Sequence, residues 1–288
     1  MTRNDEGRLG TKMAPAELPV VPESKEKEGS TFSFAVPTEF VELPSKGRFY
    51  NENHSLHNKE FAEIKFMTAK EEDILASRSL LKRGIAIDRF LKSVLIDKSI
   101  NIEDLLLGDK NAIMVAARIT GYGEQYETKV ACPSCATSVE HSFNLEDKVV
   151  NAGGLECVDE DLGITQNLNT FVIPLPRTKV DAEVKLLFSS DETKLTQLTE
   201  KKRKNKLPEA PLTDQLKSFI ISVNGKTESA IIAEFVESMP AIDSKFLRAV
   251  YGKLTPHVDL TQEFQCESCG FTEDMEVPFT ADFFWSRR

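Results

Sequence analysis

The chain has 288 residues, a formal net charge of -10 and an apolar content of 40%. A chain of this length can bury a substantial core, as one large domain or two modest ones. Its excess of acidic residues opposes general attraction to a phosphate backbone, and no run approaches the roughly 18 apolar residues of a membrane helix, so we expect a folded, soluble protein without a membrane span.

Residues 1–36 are predicted to form a flexible arm. They are rich in Pro, Glu, Lys and Ser and show no sustained hydrophobic periodicity, so they bury too little apolar surface to offset the entropy of ordering. The segment contains neither the apolar stretch nor the small-residue cleavage site of a secretory signal. We therefore expect the protein to stay in the cytoplasm, and the arm could order on contact with a neighbouring subunit.

Residues 37–125 are predicted to form a helical module with short leading strands. The segment 40–50 alternates apolar and polar residues before a Ser-Lys-Gly turn. Thr68 and Glu71 have the spacing of a capping box, which predicts a helix that ends near Gly84. Further helices are predicted at about 86–97 and, after a break at Gly108–Asp109, at about 110–120.

Two segments, 126–146 and 258–280, are predicted to form matching β-hairpins. Each alternates apolar and polar residues on both sides of a Cys-x-x-Cys, as expected for a hairpin with the cysteines at its tip. When Cys132 is aligned with Cys266, the later apolar positions of the two segments also coincide. The sequence therefore predicts a weak internal repeat of one supersecondary unit.

The stretch between the hairpins, 147–257, is predicted to be an inserted α+β subdomain. "FVIPLP" and "KVDAEVKLLF" have strand patterns, the second with Val180, Ala182, Val184 and Leu186 on one face, and "SFIISVNG" ends in an Asn-Gly turn signal. Residues 198–212 are predicted to be a charged loop. Helices are predicted from Thr227, as the cap, to about Ser238, and from Asp243 to about Gly252.

Four of the five cysteines predict a structural zinc site. Two Cys-x-x-Cys pairs in a reducing cytoplasm favour a metal over a disulfide, and Cys132, Cys135, Cys266 and Cys269 would close a tetrahedral Zn²⁺ shell. A redox dithiol is the weaker alternative, because it usually opens a helix and needs one pair only. A catalytic zinc ion would need an open coordination position. Cys157 lies outside both pairs and is predicted to be a small, at least partly buried residue.

The aromatic C-terminal tail, residues 281–288, carries Phe283, Phe284 and the single tryptophan, Trp285. Three consecutive aromatic residues are too apolar to remain in water. Docking on this chain is the simpler expectation, and an anchor in a protein interface is the alternative.

Other function classes receive weaker support from the residues. Lys201, Lys202, Arg203, Lys204 and Lys206 form a basic cluster, but acidic residues flank it and no aromatic residue accompanies it, which favours a solvated loop over a nucleic-acid contact. A zinc-ribbon protein that binds nucleic acid or acts in transcription stays the main alternative, although the second hairpin is acidic. No enzyme motif is found, and Asp109 and Asp243 are interpreted as helix caps rather than catalytic groups.

Several segments, in order along the chain, resemble one protein family. These are "LPSKGRFY", "MTAKEEDILAS", "LLKRGIAIDRFL", "IEDLLLGDKNAI", "ARITGYGEQYETKVACPSC", "FVESMPAIDSKFLR", "FQCESCG" and "DFFW". Together they resemble the baseplate hub subunit and hub assembly proteins of T4-like contractile-tailed bacteriophages, over about residues 37–286.

The resemblance implies a structural or assembly protein of the tail baseplate, not an enzyme, that acts in the cytoplasm of the host bacterium during assembly. It predicts partners among other phage tail or baseplate proteins and allows a homo-oligomer, whereas nucleic acid is not expected as a partner. Whether the protein stays in the virion baseplate is left open. The fold class expected from all these features is α+β: a helical module, a split zinc-ribbon-like pair of hairpins and an inserted mixed subdomain.

Overall fold

The computed structural model of the chain describes residues 36–278 and 283–284, and the structural statements below concern these residues. The predicted arm lies outside them, apart from residue 36. The helices are α1 (Ala69–Ala76), α2 (Arg78–Lys82), α3 (Ala86–Val94), α4 (Leu107–Tyr122), α5 (Ser189–Lys204), α6 (Pro211–Phe219), α7 (Ser229–Ser238) and α8 (Ala241–Leu254). Short 3₁₀ turns lie at Ile102–Asp104, Leu155–Cys157 and Glu160–Leu162.

The strands pair only in antiparallel fashion within the described residues. They are β1 (Thr38–Glu42), β2 (Phe61–Lys65), β3 (Gln125–Ala131), β4 (Ser138–Asn144), β5 (Val149–Asn151), β6 (Thr165–Asn167), β7 (Thr170–Pro174), β8 (Asp181–Lys185), β9 (Ile220–Val223), β10 (His257–Asp259), β11 (Thr261–Gln265) and β12 (Thr272–Glu276). Helices mixed with small antiparallel sheets confirm the α+β class. The proposed domain boundaries stay predictions.

The predicted capping box at the start of α1 is confirmed. The carboxylate of Glu71 accepts hydrogen bonds from the backbone N–H of Thr68 at 3.1 Å and from its hydroxyl at 2.5 Å. Ser77 takes an extended conformation and divides the predicted helix into α1 and α2, while Gly84, with a φ of 68°, follows the end of α2 as the predicted stop. Serine is frequent at such breaks because its hydroxyl competes for local backbone hydrogen bonds.

The second predicted helix, 86–97, ends earlier, at Val94. Leu95 leaves the helix to form an antiparallel bridge with Ile64, and the N–H of Ile96 donates to the carbonyl of Glu63. Pairing with the edge of β2 satisfies backbone groups that a longer helix would have satisfied internally.

Glu71 is also the centre of a buried ionic cluster between α1, α3 and β2. It accepts hydrogen bonds from Lys65 Nζ at 2.7 Å and from Ser93 Oγ at 2.5 Å, and its side chain is fully buried. Burial alone would raise the pKa of Glu71, but the hydrogen bonds from Lys65, Ser93 and Thr68 outweigh burial and lower the pKa to about 2.

We expect Glu71→Gln to reduce stability most at neutral pH. A carboxyl group whose pKa is depressed in the folded protein stabilises the fold above its unfolded value of 4.5, and this contribution disappears as the pH falls towards 2. The shift corresponds to about 3 kcal/mol. In urea unfolding, the free energies of unfolding of the native protein and of Glu71→Gln should converge as the pH falls from 7 to 2. The control Asp73→Asn, which neutralises an exposed carboxylate on α1, should follow the native protein at each pH. A constant gap between Glu71→Gln and the native protein would contradict this explanation.

The start of α4 differs from the prediction. Gly108 and Asp109 were predicted to interrupt the helical structure, but they lie in the first turn of α4. Asp109 is fully buried and accepts hydrogen bonds from Ser45 N at 3.0 Å, from Ser45 Oγ at 2.6 Å and from Tyr50 Oη at 2.7 Å. Its interpretation as a helix cap is therefore wrong, because its oxygens bind the loop of the "LPSKGRFY" segment instead of its own helix.

The inserted segment contains a four-stranded antiparallel sheet in the order β6-β7-β8-β9. Ala182, Val184 and Leu186 are fully buried, and Val180 is half-buried, which confirms the predicted apolar face of β8. After β9, Asn224 and Gly225 both adopt positive φ angles, of 50° and 77°, as expected for the predicted Asn-Gly turn.

Both predicted helix starts in the insert were wrong in position. Helix α7 begins after Glu228, not after Thr227, and α8 begins at Ala241, two residues before Asp243. Asp243 is buried and accepts hydrogen bonds from the backbone N–H groups of Arg177 and Thr178, at 2.8 and 2.9 Å. Its carboxylate therefore fixes the turn between β7 and β8 and does not cap a helix.

The charged loop predicted at 198–212 is also wrong. Its first half forms the end of α5, which runs to Lys204, and its last residues begin α6 at Pro211. Lysine, arginine, glutamate and leucine favour helices, and basic residues in the last turn interact favourably with the helix dipole. Pro208 lies beyond the end of α5, and Pro211 occupies the first turn of α6, where proline is well tolerated.

The insert is closed at its base by a short strand pair. β5 and β10 pair antiparallel, with His257 opposite Asn151 and Asp259 opposite Val149. The second hairpin begins immediately after β10, so this pairing helps to position both hairpins. None of the helices in the described part of the chain combines the length and the apolar character needed to cross a bilayer.

Candidate metal centre

The two predicted hairpins are present, and each carries its cysteine pair in the connecting turn. β3 pairs with β4 from Gln125 opposite Asn144 to Ala131 opposite Ser138. β11 pairs with β12 from Thr261 opposite Glu276 to Gln265 opposite Thr272. Alternating strands and polar turns are sufficient local signals for such hairpins, which explains why the sequence predicts them correctly.

The two cysteine turns have the same backbone conformation. Cys132 N–H donates to Thr137 O at 2.9 Å, and Ala136 N–H donates to Cys132 O at 2.9 Å. The equivalent bonds in the second turn join Cys266 to Phe271 and Gly270 to Cys266, at 2.8 and 2.9 Å. Ala136 and Gly270 occupy the matching position with φ angles of 56° and 71°. This agreement supports the internal repeat predicted from the sequence.

The four sulfurs meet in one cluster. All lie within 4.8 Å of one another, with Cys132 Sγ 3.8 Å from Cys269 Sγ and Cys135 Sγ 3.8 Å from Cys266 Sγ. A tetrahedral ion with metal–sulfur bonds of about 2.3 Å separates its ligands by about 3.8 Å. The four cysteines can therefore hold a metal ion.

The cluster sits at the edge of the hydrophobic core. Cys132 and Cys266, the first cysteine of each pair, are buried, whereas Cys135 and Cys269 are exposed. His141, from the first hairpin, packs edge-on against Phe143 and Phe264, with ring centroids 4.6 and 5.2 Å away. The histidine thus belongs to the apolar contact between the hairpins, and within the described part of the chain the cluster consists of cysteines alone.

The four close thiols influence one another's ionisation. Hydrogen bonds from the side chain and backbone of Thr137 lower the pKa of Cys135 to about 6. A backbone hydrogen bond from Phe271 lowers the pKa of Cys269, but desolvation and the neighbouring sulfurs outweigh it and raise that pKa to about 12. Close sulfurs resist simultaneous ionisation, and a divalent ion would remove this repulsion.

The C-terminal aromatic residues that are described lie inside this chain. Phe283 and Phe284 are each 2% exposed, and their rings pack edge-on against Tyr126 and Phe90, at centroid distances of 5.1 and 4.9 Å. Trp285 lies outside the described residues. The contact of Phe283, Phe284 and Trp285 with a partner stays a prediction, and the geometry of the first two matches the simpler expectation of docking on this chain.

Arg118 fixes this tail and was missed by sequence reasoning. Its Nε donates to Phe283 O at 2.9 Å, while its terminal nitrogens donate to Gly123 O at 3.1 Å and Gln125 O at 3.4 Å. The guanidinium also lies over the rings of Tyr122 and Tyr126. An arginine within the apolar stretch "IMVAARITGY" was the available signal, since a buried cation needs several acceptors.

No curated protein and no solved structure gives a significant match to the chain. A family model described as T4 bacteriophage base plate protein matches residues 37–285, which covers nearly all of the chain after the predicted arm and includes both cysteine pairs. On this match, the chain belongs to the family of T4 bacteriophage base plate proteins.

Proposed function

We propose that the chain is a structural or assembly protein of the hub region of a contractile-tail baseplate, which acts through protein–protein contacts and contains a structural zinc ion. The observation that carries the proposal is the family match over residues 37–285. The hub location rests on the order of the segments that resemble hub proteins, from "LPSKGRFY" to "DFFW".

Zinc is the ion that best suits the cluster. Four thiolates at tetrahedral spacing are typical of structural zinc, and iron is the main competitor for the same ligands. Since four protein ligands fill the coordination shell, the ion has no open position for a substrate. Its role in this proposal is to hold two hairpins together across the inserted segment, so that the metal-binding free energy contributes to folding.

A non-enzymatic role is supported by the burial of two carboxylates and by the hydrogen bonds that they already accept. Asp109 and Asp243 have no exposed surface, and their oxygens already accept hydrogen bonds from Ser45, Tyr50, Arg177 and Thr178. A catalytic acid or base must reach its substrate within hydrogen-bonding distance. These carboxylates instead fix loops, which suits a protein that presents a rigid surface to partners.

The proposed partners are other phage tail or baseplate proteins, met in the cytoplasm of the host bacterium during assembly. The aromatic tail, with Trp285, stays a candidate for such a contact. A nucleic-acid role is less well supported, because the second hairpin exposes Glu263, Asp274 and Glu276, which repel phosphate.

Native mass spectrometry of the freshly purified chain, alone and with purified tail proteins of the same phage, tests the proposal. We expect one zinc ion per chain and a complex of defined mass with a tail protein. Iron in place of zinc would overturn the metal assignment. A chain with zinc that forms no complex with any of the tail proteins would overturn the assembly role.

A further inference from the structure

The two hairpins differ at one pair of matching positions. In the first hairpin, Lys129 stands three residues before the first cysteine and Glu140 five residues after the second, and the two face each other across the strands, 3.5 Å apart. The same positions of the second hairpin hold Glu263 and Asp274, also directly opposite each other. An ion pair in one repeat is thus a pair of like charges in the other.

Like charges directly opposite each other destabilise a strand pair. Glu276 lies on the same side of the second hairpin, because it faces Thr261 two residues along the strand from Glu263. We call Glu263, Asp274 and Glu276 the acidic face. All three are exposed, and within residues 36–278 and 283–284 none of them forms an ion pair. Among the residues that the structure describes, the acidic face therefore has no cation paired with it.

The complementary surface lies at the end of α5. From Glu192 to Glu209 the side chains are exposed except those of Leu195 and Lys202, which are half-buried. We call residues 192–209 the basic arm. Lys201, Arg203 and Lys206 are exposed there and, within the described residues, take part in no ion pair, whereas Lys202 and Lys204 pair with Asp214 and Glu200.

Ion pairs anchor the basic arm near both of its ends. At its base, Asp191 accepts a hydrogen bond from Lys185 Nζ at 2.8 Å. Near its end, Lys202 Nζ contacts both carboxylate oxygens of the nearly buried Asp214 on α6, at 2.7 and 2.6 Å. A helix that is polar on all sides usually bridges between bodies or is stabilised by ion pairs. Because the arm is fixed before binding, its docking costs little conformational entropy.

We propose that the basic arm of one copy of this chain binds the acidic face of a second copy. The two sites have opposite charge, with three cations around the end of α5 and three carboxylates on the hairpin that form no ion pair among the described residues. The net charge of -10 makes two copies repel each other at long range, but at physiological salt the Debye length is about 8 Å, so contacts between the two surfaces outweigh distant charges.

The contact is head to tail. The arm and the face are different surfaces, so each copy offers one of each, and repeated contacts close into a ring or extend as an open chain. Each copy then contributes one basic arm and one acidic face, so copies of this chain alone can form the assembly without a different protein. The contact requires the second hairpin to be folded, but it does not depend on the hub location in the proposed function.

Charge reversal with rescue tests the contact. The arm variant is Lys201→Glu, Arg203→Glu and Lys206→Glu, and the face variant is Glu263→Lys, Asp274→Lys and Glu276→Lys. The native chain should self-associate in sedimentation velocity at 0.15 M salt, and each variant alone should bind itself about tenfold or more weakly, since attractions become repulsions. An equimolar mixture of the two variants should regain association, because each arm then finds a face of opposite charge. At 1 M salt, where the Debye length is about 3 Å, native association should weaken.

The matched control reverses Lys179, Lys245 and Lys253, which are exposed lysines away from the arm, to glutamate. It makes the same change in net charge as the arm variant and should self-associate more than either variant alone. A native chain that is monomeric across a concentration series overturns the proposal, and so does a mixture that fails to regain association. Salt-sensitive binding of the monomeric native chain to RNA or DNA, lost in the arm variant, would make nucleic acid the occupant instead. Circular dichroism and metal content show whether each variant is folded.

Discussion

Replacing both Cys132 and Cys266 with serine is expected to release the metal ion and to lower the melting temperature by about 10–20 °C. These two residues are the buried member of each cysteine pair, 2% and 1% exposed, and each contributes one sulfur from its own hairpin. The double variant therefore removes one ligand from each side of the proposed clamp and leaves only two thiols in the cluster, those of Cys135 and Cys269.

The magnitude follows from the metal-binding free energy. Structural zinc contributes about 10–16 kcal/mol of apparent binding free energy in zinc-finger peptides. In this chain the hairpins also share buried contacts, such as those of His141 with Phe143 and Phe264, and these remain without metal. We therefore expect a loss of about 5 kcal/mol or more, which corresponds to about 2–4 °C for each kcal/mol in a chain of this size.

Cys157→Ser is the matched control for this experiment. Cys157 lies outside the cluster, and its thiol contacts Asn151 Oδ1 and Gly153 O, at 3.6 and 3.5 Å. Its replacement should leave one metal ion per chain and a melting temperature close to that of the native protein. Melting curves and metal analysis of the three proteins decide the outcome. A double variant that retains its metal or melts with the native protein would contradict the clamp.

Features with local signals were predicted well. The hairpins, the face of β8, the capping box at Thr68 and the Asn-Gly turn depend on residues within a few positions of one another, where alternation, caps and turn residues act directly. The grouping of the four cysteines could also be predicted, although 130 or more residues separate the two pairs. The reason is chemical: two thiols rarely complete the coordination shell of a metal ion, so the presence of a second Cys-x-x-Cys pair predicts that both pairs bind the same ion.

Features that depend on distant partners were not predicted. Asp109 and Asp243 have the residue type and the sequence position typical of helix caps. Their hydrogen-bond donors, however, lie about 60 residues away in sequence, in Ser45, Tyr50, Arg177 and Thr178. The extension of α5 was missed for the opposite reason. Two prolines and many charges suggested a loop, whereas the prolines follow the helix end and the charged residues favour a helix.

Gly108 is the residue through which α4 contacts the closing strand pair of the insert. A β-carbon at this position would lie 2.0 Å from Pro256 O and 2.7 Å from Pro256 C. Both are backbone atoms next to β10, which pairs with β5 and leads directly into the hairpin that carries Cys266 and Cys269. No side-chain rotation relieves such a contact, so α4 and β10 would have to separate.

We therefore expect Gly108→Ala to lower the free energy of unfolding by about 3 kcal/mol or more, although alanine is the better helix former. Gly252→Ala on α8 is the matched control, because a β-carbon there meets nothing within 4 Å. That change should raise stability by about 0.5–1 kcal/mol. Denaturant unfolding of both variants gives the comparison, and the rate of metal loss to a chelator should rise in Gly108→Ala only, since the displaced β10 precedes the second cysteine pair. If the two variants were equally stable, the close approach of α4 to Pro256 would not exist in solution, and the insert would be joined to the helical module in another way.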